Sequence, residues 1–421
     1  MKSPFKRFIR NIHLYLGLAS GLVIVFVCLT GSILVFEKEI EQAWHPERYT
    51  VAPATTSALS LAQLTTAVQA YKPKAKIGGF KVYADPARSM EVSLAGGPGG
   101  KGGEGAKGPR SGDGKARAEG AGPATAKPGE GGPGKGKGKG DGGGPRIYVN
   151  PYTGAILGEI NPRETFFHTV EQLHRGLVAG KIGKLVMGVS ASIFLFILGT
   201  GLVLWWPAAR KALTPRLTVK WGSGWKRLNH DFHIVLGFYA SLFLFVMALT
   251  GVGMSFDWVG AGINKLTHSP LKRPEPPVSV VPAAAAEPVA KVGADAVLTL
   301  ARQQAPDAEF YSVQLPKEAT GSIRVAVLRP GAITENATDE VYLDQYSGQV
   351  ISGQTYAQRP VGQRIRGLFK PVHTGAIGGL STKVLAFVIA LLGATFPVTG
   401  TVMWLNRIRK KGKKQPQLQA V

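Results

Sequence analysis

Residues 228–251, LNHDFHIVLGFYASLFLFVMALTG, decide the fold. Two histidines, His230 and His233, open the stretch, and a charge-free apolar run follows. Residues 11–31, NIHLYLGLASGLVIVFVCLTG, repeat it. His13 aligns with His233, Gly17 with Gly237, Thr30 with Thr250, and Gly31 with Gly251, all at one offset. A shared offset over four pairs marks a repeated unit.

Working outward, four segments lack charge for long enough to cross a bilayer: 14–36, 185–206, 234–256 and 384–405. A span needs roughly 20 apolar residues for about 30 Å of hydrocarbon. The second and fourth are also twins. His174 matches His373, Gly176 matches Gly375, Lys184 matches Lys383, Thr200-Gly201 matches Thr399-Gly400, and Trp205 matches Trp404. The predicted fold is therefore a mainly α membrane protein. It is a four-transmembrane-helix bundle of two pseudo-symmetric repeats, each with a small α+β external domain.

The formal charge of +24 on 421 residues raises the question of nucleic acid, and its placement answers it. Basic residues crowd before the first span, between the second and third, and after the fourth. Short basic loops at alternate ends are the positive-inside signal, so both termini and the middle loop are expected in the cytoplasm and no nucleic acid is expected as partner. The N-terminus imitates a secretory signal, but its apolar run is too long and ends without a small-residue cleavage site, so an uncleaved anchor is expected. Cys28 is the single cysteine and C-x-x-C-H is absent, so any haem is held non-covalently. Of the seven tryptophans, Trp205, Trp206 and Trp404 close the second and fourth spans, Trp44 and Trp258 lie just outside the first and third, and Trp221 and Trp225 sit in the middle loop, an interfacial distribution.

These signals divide the chain as follows. The N-terminus and first span occupy 1–36, and the first external domain 37–165. A histidine segment and the second span follow at 166–207, then a basic loop at 208–229 and the third span at 230–256. The second external domain covers 257–364, a histidine segment and the fourth span 365–405, and a basic tail 406–421. In the first external domain a helix is expected at 61–71 and strands at 79–83, 90–94 and 146–150. The second should have a helix at 294–304 and strands at 310–315, 322–328, 340–344 and 349–351. IYVNPYTGAIL in the first matches VYLDQYSGQVI in the second. Residues 96–144 are almost entirely Gly, Lys, Pro, Ala and acidic residues; with nothing to bury, they are expected to be a disordered insert.

Histidine in a membrane span needs a reason. His13 and His233 fall at the cytoplasmic ends of their spans, His174 and His373 just before theirs on the external side. Each level thus receives one histidine from each repeat, as a bis-imidazole iron site across a flat macrocycle requires. Gly17 and Gly237 lie one helical turn beyond their histidines and leave room for a ring; Gly176 and Gly375 could do so at the other level. Arg175, Arg366 and Lys370 outside, and Arg10 and Arg227 inside, are candidates to pair with haem propionates or are ordinary interfacial charges. His168 and His230 lack repeat partners and are read as neighbours of the iron ligands or as structural groups. No nucleophile elbow, phosphate loop or dinucleotide fingerprint is present.

Several blocks together, IHLYLGLASG, TGLVLWWP, WKRLNHDFHIVLG and YVNPYTG, give the chain a family likeness. It resembles the PepSY-associated transmembrane family over nearly its whole length apart from 96–144. The resemblance implies a multi-pass protein of the bacterial inner membrane with periplasmic PepSY-like domains, similar to di-haem ferric-siderophore reductases. It implies two non-covalent haem b groups with His13, His174, His233 and His373 as axial ligands. The implied partners are the lipid bilayer, a periplasmic ferric siderophore, and a separate cytoplasmic or quinol electron donor. Two other readings stay open: an electron-transfer subunit of another membrane redox chain, and a non-enzymatic membrane-anchored PepSY protein that binds peptide or regulates a protease.

Overall fold

The computed structural model describes residues 4–95, 144–282 and 290–412, with side chains to 409. The insert expected at 96–144 lies, but for its last residue, outside the described residues.

The first half runs α1 (Pro4–Val35), α2 (Glu37–Trp44), α3 (Pro46–Tyr49), α4 (Leu61–Tyr71), β1 (Ile77–Tyr83), β2 (Met90–Leu94), β3 (Arg146–Val149), β4 (Ile156–Ile160), α5 (Phe166–Gly176) and α6 (Gly180–Trp205). A loop carrying the single turn α7 (Thr214–Leu217) leads to α8 (Trp225–Asp231), which a π turn at Phe232–Leu236 joins to α9 (Gly237–Ser255). The second half continues with α10 (Asp257–Leu266), α11 (Ala294–Gln304), β5 (Phe310–Gln314), β6 (Ile323–Leu328), β7 (Asp339–Leu343), β8 (Val350–Gln354), α12 (Val361–His373) and α13 (Gly379–Gly412).

Four helices are long and apolar enough to cross a membrane: Pro4–Val35, Gly180–Trp205, Trp225–Ser255 and Ala376–Arg409. The protein is a multi-pass membrane protein. The spans form a ring in which α1 touches α13 and α6, and α9 touches α6 and α13. Hydrocarbon gives apolar side chains no reason to leave it, so packing depends on close approach of small residues. Ser20, Ala240, Ser241, Ala386, Ala390 and Ala394 are buried here. A Cβ built at Gly21 would stand 3.2 Å from that of Pro397, and one at Gly393 2.9 Å from Cys28 Sγ. Leu22 and Leu242 point outward, 83% and 67% exposed, as lipid-facing residues should.

The helices and strands of the external segments form where expected, to within a few residues, but their assembly differs. In place of two small α+β domains there is one eight-stranded antiparallel sheet, ordered β4-β3-β2-β1-β5-β6-β7-β8. Each set of four strands would otherwise leave a long inner edge of unpaired backbone groups, which is a liability. Pairing β1 with β5, from Gly79↔Gln314 to Tyr83↔Phe310, removes both edges. Gly79 is required at that seam, because a Cβ there would run into the Val313 carbonyl. Alternate strand residues Phe80, Val92, Ile147, Val149, Val313, Val325 and Leu343 join Leu64 and Val68 of α4 and Val297 of α11 in one apolar core. Asp295 of α11 accepts hydrogen bonds from the Leu61 and Ala62 amides at 2.6 and 3.0 Å. One half thereby caps the first turn of α4 in the other. Ion pairs link the bundle to the sheet through α2: Lys383 of α13 reaches Glu39 at 2.6 Å, and the neighbouring Lys38 pairs with Glu335 in the β6–β7 loop.

Candidate functional site

Four histidines meet in two pairs. At the sheet side, His174 near the end of α5 faces His373, the last residue of α12, with ring centroids 6.1 Å apart and planes at 66°. At the far end, His13 of α1 faces His233 in the π turn, with centroids 6.4 Å apart and planes at 86°. These are the pairings the sequence predicts. α5 is positioned by its N-cap, Thr165 Oγ1, which accepts from the His168 amide at 3.1 Å. The turn that follows passes through positive φ at Leu177 and Val178 before α6 begins. The π turn adds an asymmetry at the far end, because His13 sits in continuous α-helix; such turns concentrate at functional sites.

Each Nδ1 lies against a threonine hydroxyl on a neighbouring helix. His13 is 2.9 Å from Thr200 Oγ1, and His233 is 2.9 Å from Thr399 Oγ1. His174 is 3.1 Å from Thr30 Oγ1 and His373 is 3.1 Å from Thr250 Oγ1. Val27 and Met247 carbonyls lie 3.1 and 2.8 Å from the Nδ1 atoms of His174 and His373. Burial, together with the neighbouring His373, lowers His174 to about 4, and burial lowers His373 as well. Both are neutral imidazoles at physiological pH, the form that binds metals.

The glycine after each threonine opens space for the same ring. A built Cβ at Gly31 would be 3.0 Å from His174 Cε1, and at Gly400 3.2 Å from His233 Cε1. At Gly201 and Gly251 the corresponding distances, to His13 and His373, are 3.4 Å. These four Thr-Gly pairs serve in the sequence as repeat markers, with no role assigned. Their conjunction with the histidines was the available signal, since both recur at the same offsets.

The other predicted residues separate. Gly17 has nothing within 4 Å of a built Cβ, and Gly237 only Phe396 at 3.8 Å, so both border open space beside the far pair. Gly176 and Gly375 instead admit the backbone of the following helix: a Cβ at Gly176 would meet the Lys184 amide at 3.3 Å, and one at Gly375 would strike the Thr382 carbonyl. Neither opens onto the sheet-side pair. His230 contacts Asp231 at 3.2 Å and His168 approaches Glu171 at 4.0 Å, so neither stands in a histidine pair. Arg175 is paired with Glu171 at 2.9 Å, and Arg227 with Asp231 at 2.8 Å. Arg366 packs on Gly260. Arg10 differs: its Nε is buried without a hydrogen-bond partner. Among the described residues no group of three or more His, Cys, Asp or Glu converges as for a bare metal ion.

No curated protein sequence compared with this chain matches it. A family model does, over residues 10–407, an interval that takes in the second and third spans, nearly all of the first and fourth, both histidine pairs and the whole sheet. The chain belongs to the family of the PepSY-associated TM region.

Proposed function

We propose that this protein is a b-type di-haem reductase of the bacterial inner membrane that carries electrons across the bilayer to reduce periplasmic ferric siderophore, releasing Fe(II) for uptake. The observation that carries the reading is the spacing of the two histidine pairs. A metal–imidazole bond of roughly 2 Å on each side, with about 1.1 Å from nitrogen to ring centre, separates two axial rings by about 6.2 Å. The pairs stand at 6.1 and 6.4 Å. Each supplies two protein ligands, leaving four positions on an iron for a planar macrocycle.

His174 and His373 would hold one haem and His13 and His233 the other; bound there, the two haems supply reversible one-electron chemistry at two depths. The chain's own part is to present neutral imidazoles, exclude water and set the spacing. Gly17 and Gly237 keep the far site open, and the buried Arg10 Nε suits an anionic substituent at its edge. Along α1, His13 and the Thr30 seat of His174 are separated by 17 residues, roughly 25 Å of helix at 1.5 Å each. The two levels therefore lie near opposite faces of the hydrocarbon. Within the bundle, Ala240, Leu244 and Ile389 pack with Phe194, Met247 and Phe396 in an apolar cluster. In this reading the chain is a duplicated unit with both termini cytoplasmic, the basic far end receives the electrons, and the sheet lies in the periplasm. The siderophore substrate rests on the family resemblance.

The test is the absorption spectrum of detergent-purified protein after haem-replete expression. A Soret band with reducible α and β bands is expected, and H13A or H373A should each remove about half the haem. A wild-type spectrum without these bands sinks both redox readings. Adding ferric chelates to dithionite-reduced protein then separates a reductase from an electron-transfer subunit, which would not be reoxidised by them.

A further inference from the structure

We infer that Thr30, Thr200, Thr250 and Thr399 are positioning residues that fix every paired histidine as the Nδ1–H tautomer, so that Nε2 is the ligating atom. The inference rests on the haem reading above and extends it to residues outside the ligand set.

A threonine hydroxyl has one proton. Thr30 Oγ1 donates it to the Phe26 carbonyl at 2.8 Å and Thr250 Oγ1 to the Val246 carbonyl at 2.8 Å. Thr200 and Thr399 donate to the Ile197 and Thr395 carbonyls at 2.9 and 3.0 Å. With its proton committed to its own helix, each oxygen is left to accept, and the imidazole nitrogen facing it must carry hydrogen. At the sheet side a second observation forces the same assignment: the Val27 and Met247 carbonyls, which can only accept, face the same Nδ1 atoms. A ring that donates from Nδ1 has its lone pair on Nε2. The four rings are thus pre-set before any iron arrives, each by a threonine with the following glycine clearing its Cε1 edge.

Partners of this kind raise the basicity of a ligating imidazole, and losing one typically costs about 10–100-fold in metal affinity. The experiment compares T200V and T399V with T200S and T399S at the far pair, where the threonine hydroxyls are the Nδ1 partners, in the full-length, haem-loaded protein. Haem transfer to a soluble scavenger gives retention, and a redox titration gives the midpoint potential of each haem. Valine keeps the shape and removes the acceptor. The valine variants should lose haem about 10–100-fold faster and shift the affected midpoint upward, since a weaker imidazole donor stabilises Fe(III) less; serine should restore both. Valine variants with wild-type retention and midpoints overturn the inference, as does a defect that serine fails to rescue, which would mark methyl packing. Wild-type protein without haem overturns the haem reading itself and this inference with it.

Discussion

Gly31 and Gly251 occupy equivalent sequence positions, yet alanine should affect them unequally. A Cβ at Gly31 would lie 3.0 Å from His174 Cε1 and 3.4 Å from its Nδ1; at Gly251 the distances to His373 are 3.4 and 3.9 Å. Carbon atoms are most favourable at about 3.5–4.0 Å. G251A therefore makes a tight but ordinary contact, whereas G31A must push the His174 ring away by about half an ångström. That ring is held by contacts of 3.1 Å to both Thr30 and Val27, near the long limit for an N–H···O bond, so the displacement breaks them. Overpacking of this kind costs about 1–3 kcal/mol, equivalent to roughly 5- to 150-fold in affinity. G251A should change affinity by about twofold or less, within the ±0.5 kcal/mol of mild substitutions. The assay is haem retention by the sheet-side site in the two variants, with the far site as internal control. Equal loss in both, or wild-type retention in G31A, would refute the reasoning.

D295A should destabilise the sheet domain by about 1–2 kcal/mol, the usual cost of a lost cap, visible as a lower denaturation midpoint with haem content unchanged. Burial disfavours the charge of Glu340, but hydrogen bonding and attraction from Arg324, with the charge of Arg359, outweigh it and hold its carboxyl below the ordinary 4.5. A depressed folded value means stability that is fully present above pH 4.5 and drains away as pH falls below it; E340Q should flatten that acid limb in a pH series of unfolding midpoints, and an unchanged limb would discount the pair. The Leu94 amide bonds the Pro145 carbonyl at 2.9 Å, and Ser93 pairs with Arg146, so the ends flanking 96–143 are already adjacent. Replacing those residues by a short turn should leave folding and haem content as in the wild type, because loop length costs little; loss of folded protein would assign the insert a structural role.

Periodicity and offset made much of this legible in the sequence. The four spans, the helices Leu61–Tyr71 and Ala294–Gln304, and the pairing of His13 with His233 and His174 with His373 all follow from charge-free runs and repeat alignment. Two things did not follow. Edge-to-edge joining of β1 and β5 involves strands distant in sequence, and nothing local to either distinguishes an edge that pairs from one that stays open. The roles of the glycines also went partly astray. Gly176 and Gly375 follow histidines just as Gly17 and Gly237 do within the spans, but they lie where the chain leaves one helix and crosses the start of the next. There the space a missing side chain creates is taken by backbone. The glycines that do clear the histidine rings, Gly31, Gly201, Gly251 and Gly400, sit far from those histidines in sequence.

The arrangement divides labour between the halves of the chain. Every threonine seat belongs to the same half as the histidine it holds: Thr30 and Thr200 serve His174 and His13, and Thr250 and Thr399 serve His373 and His233. Every histidine pair, by contrast, joins the two halves. Each half thus orients one ring at each level through contacts of its own helices, α1 with α5 and α6, and α9 with α12 and α13, and the halves meet along α1–α13 and α6–α9. The sheet follows the same logic, with four strands from each half and a single seam at β1–β5. A site split this way demands accuracy chiefly from the interface between halves, since each half seats its own rings on its own helices.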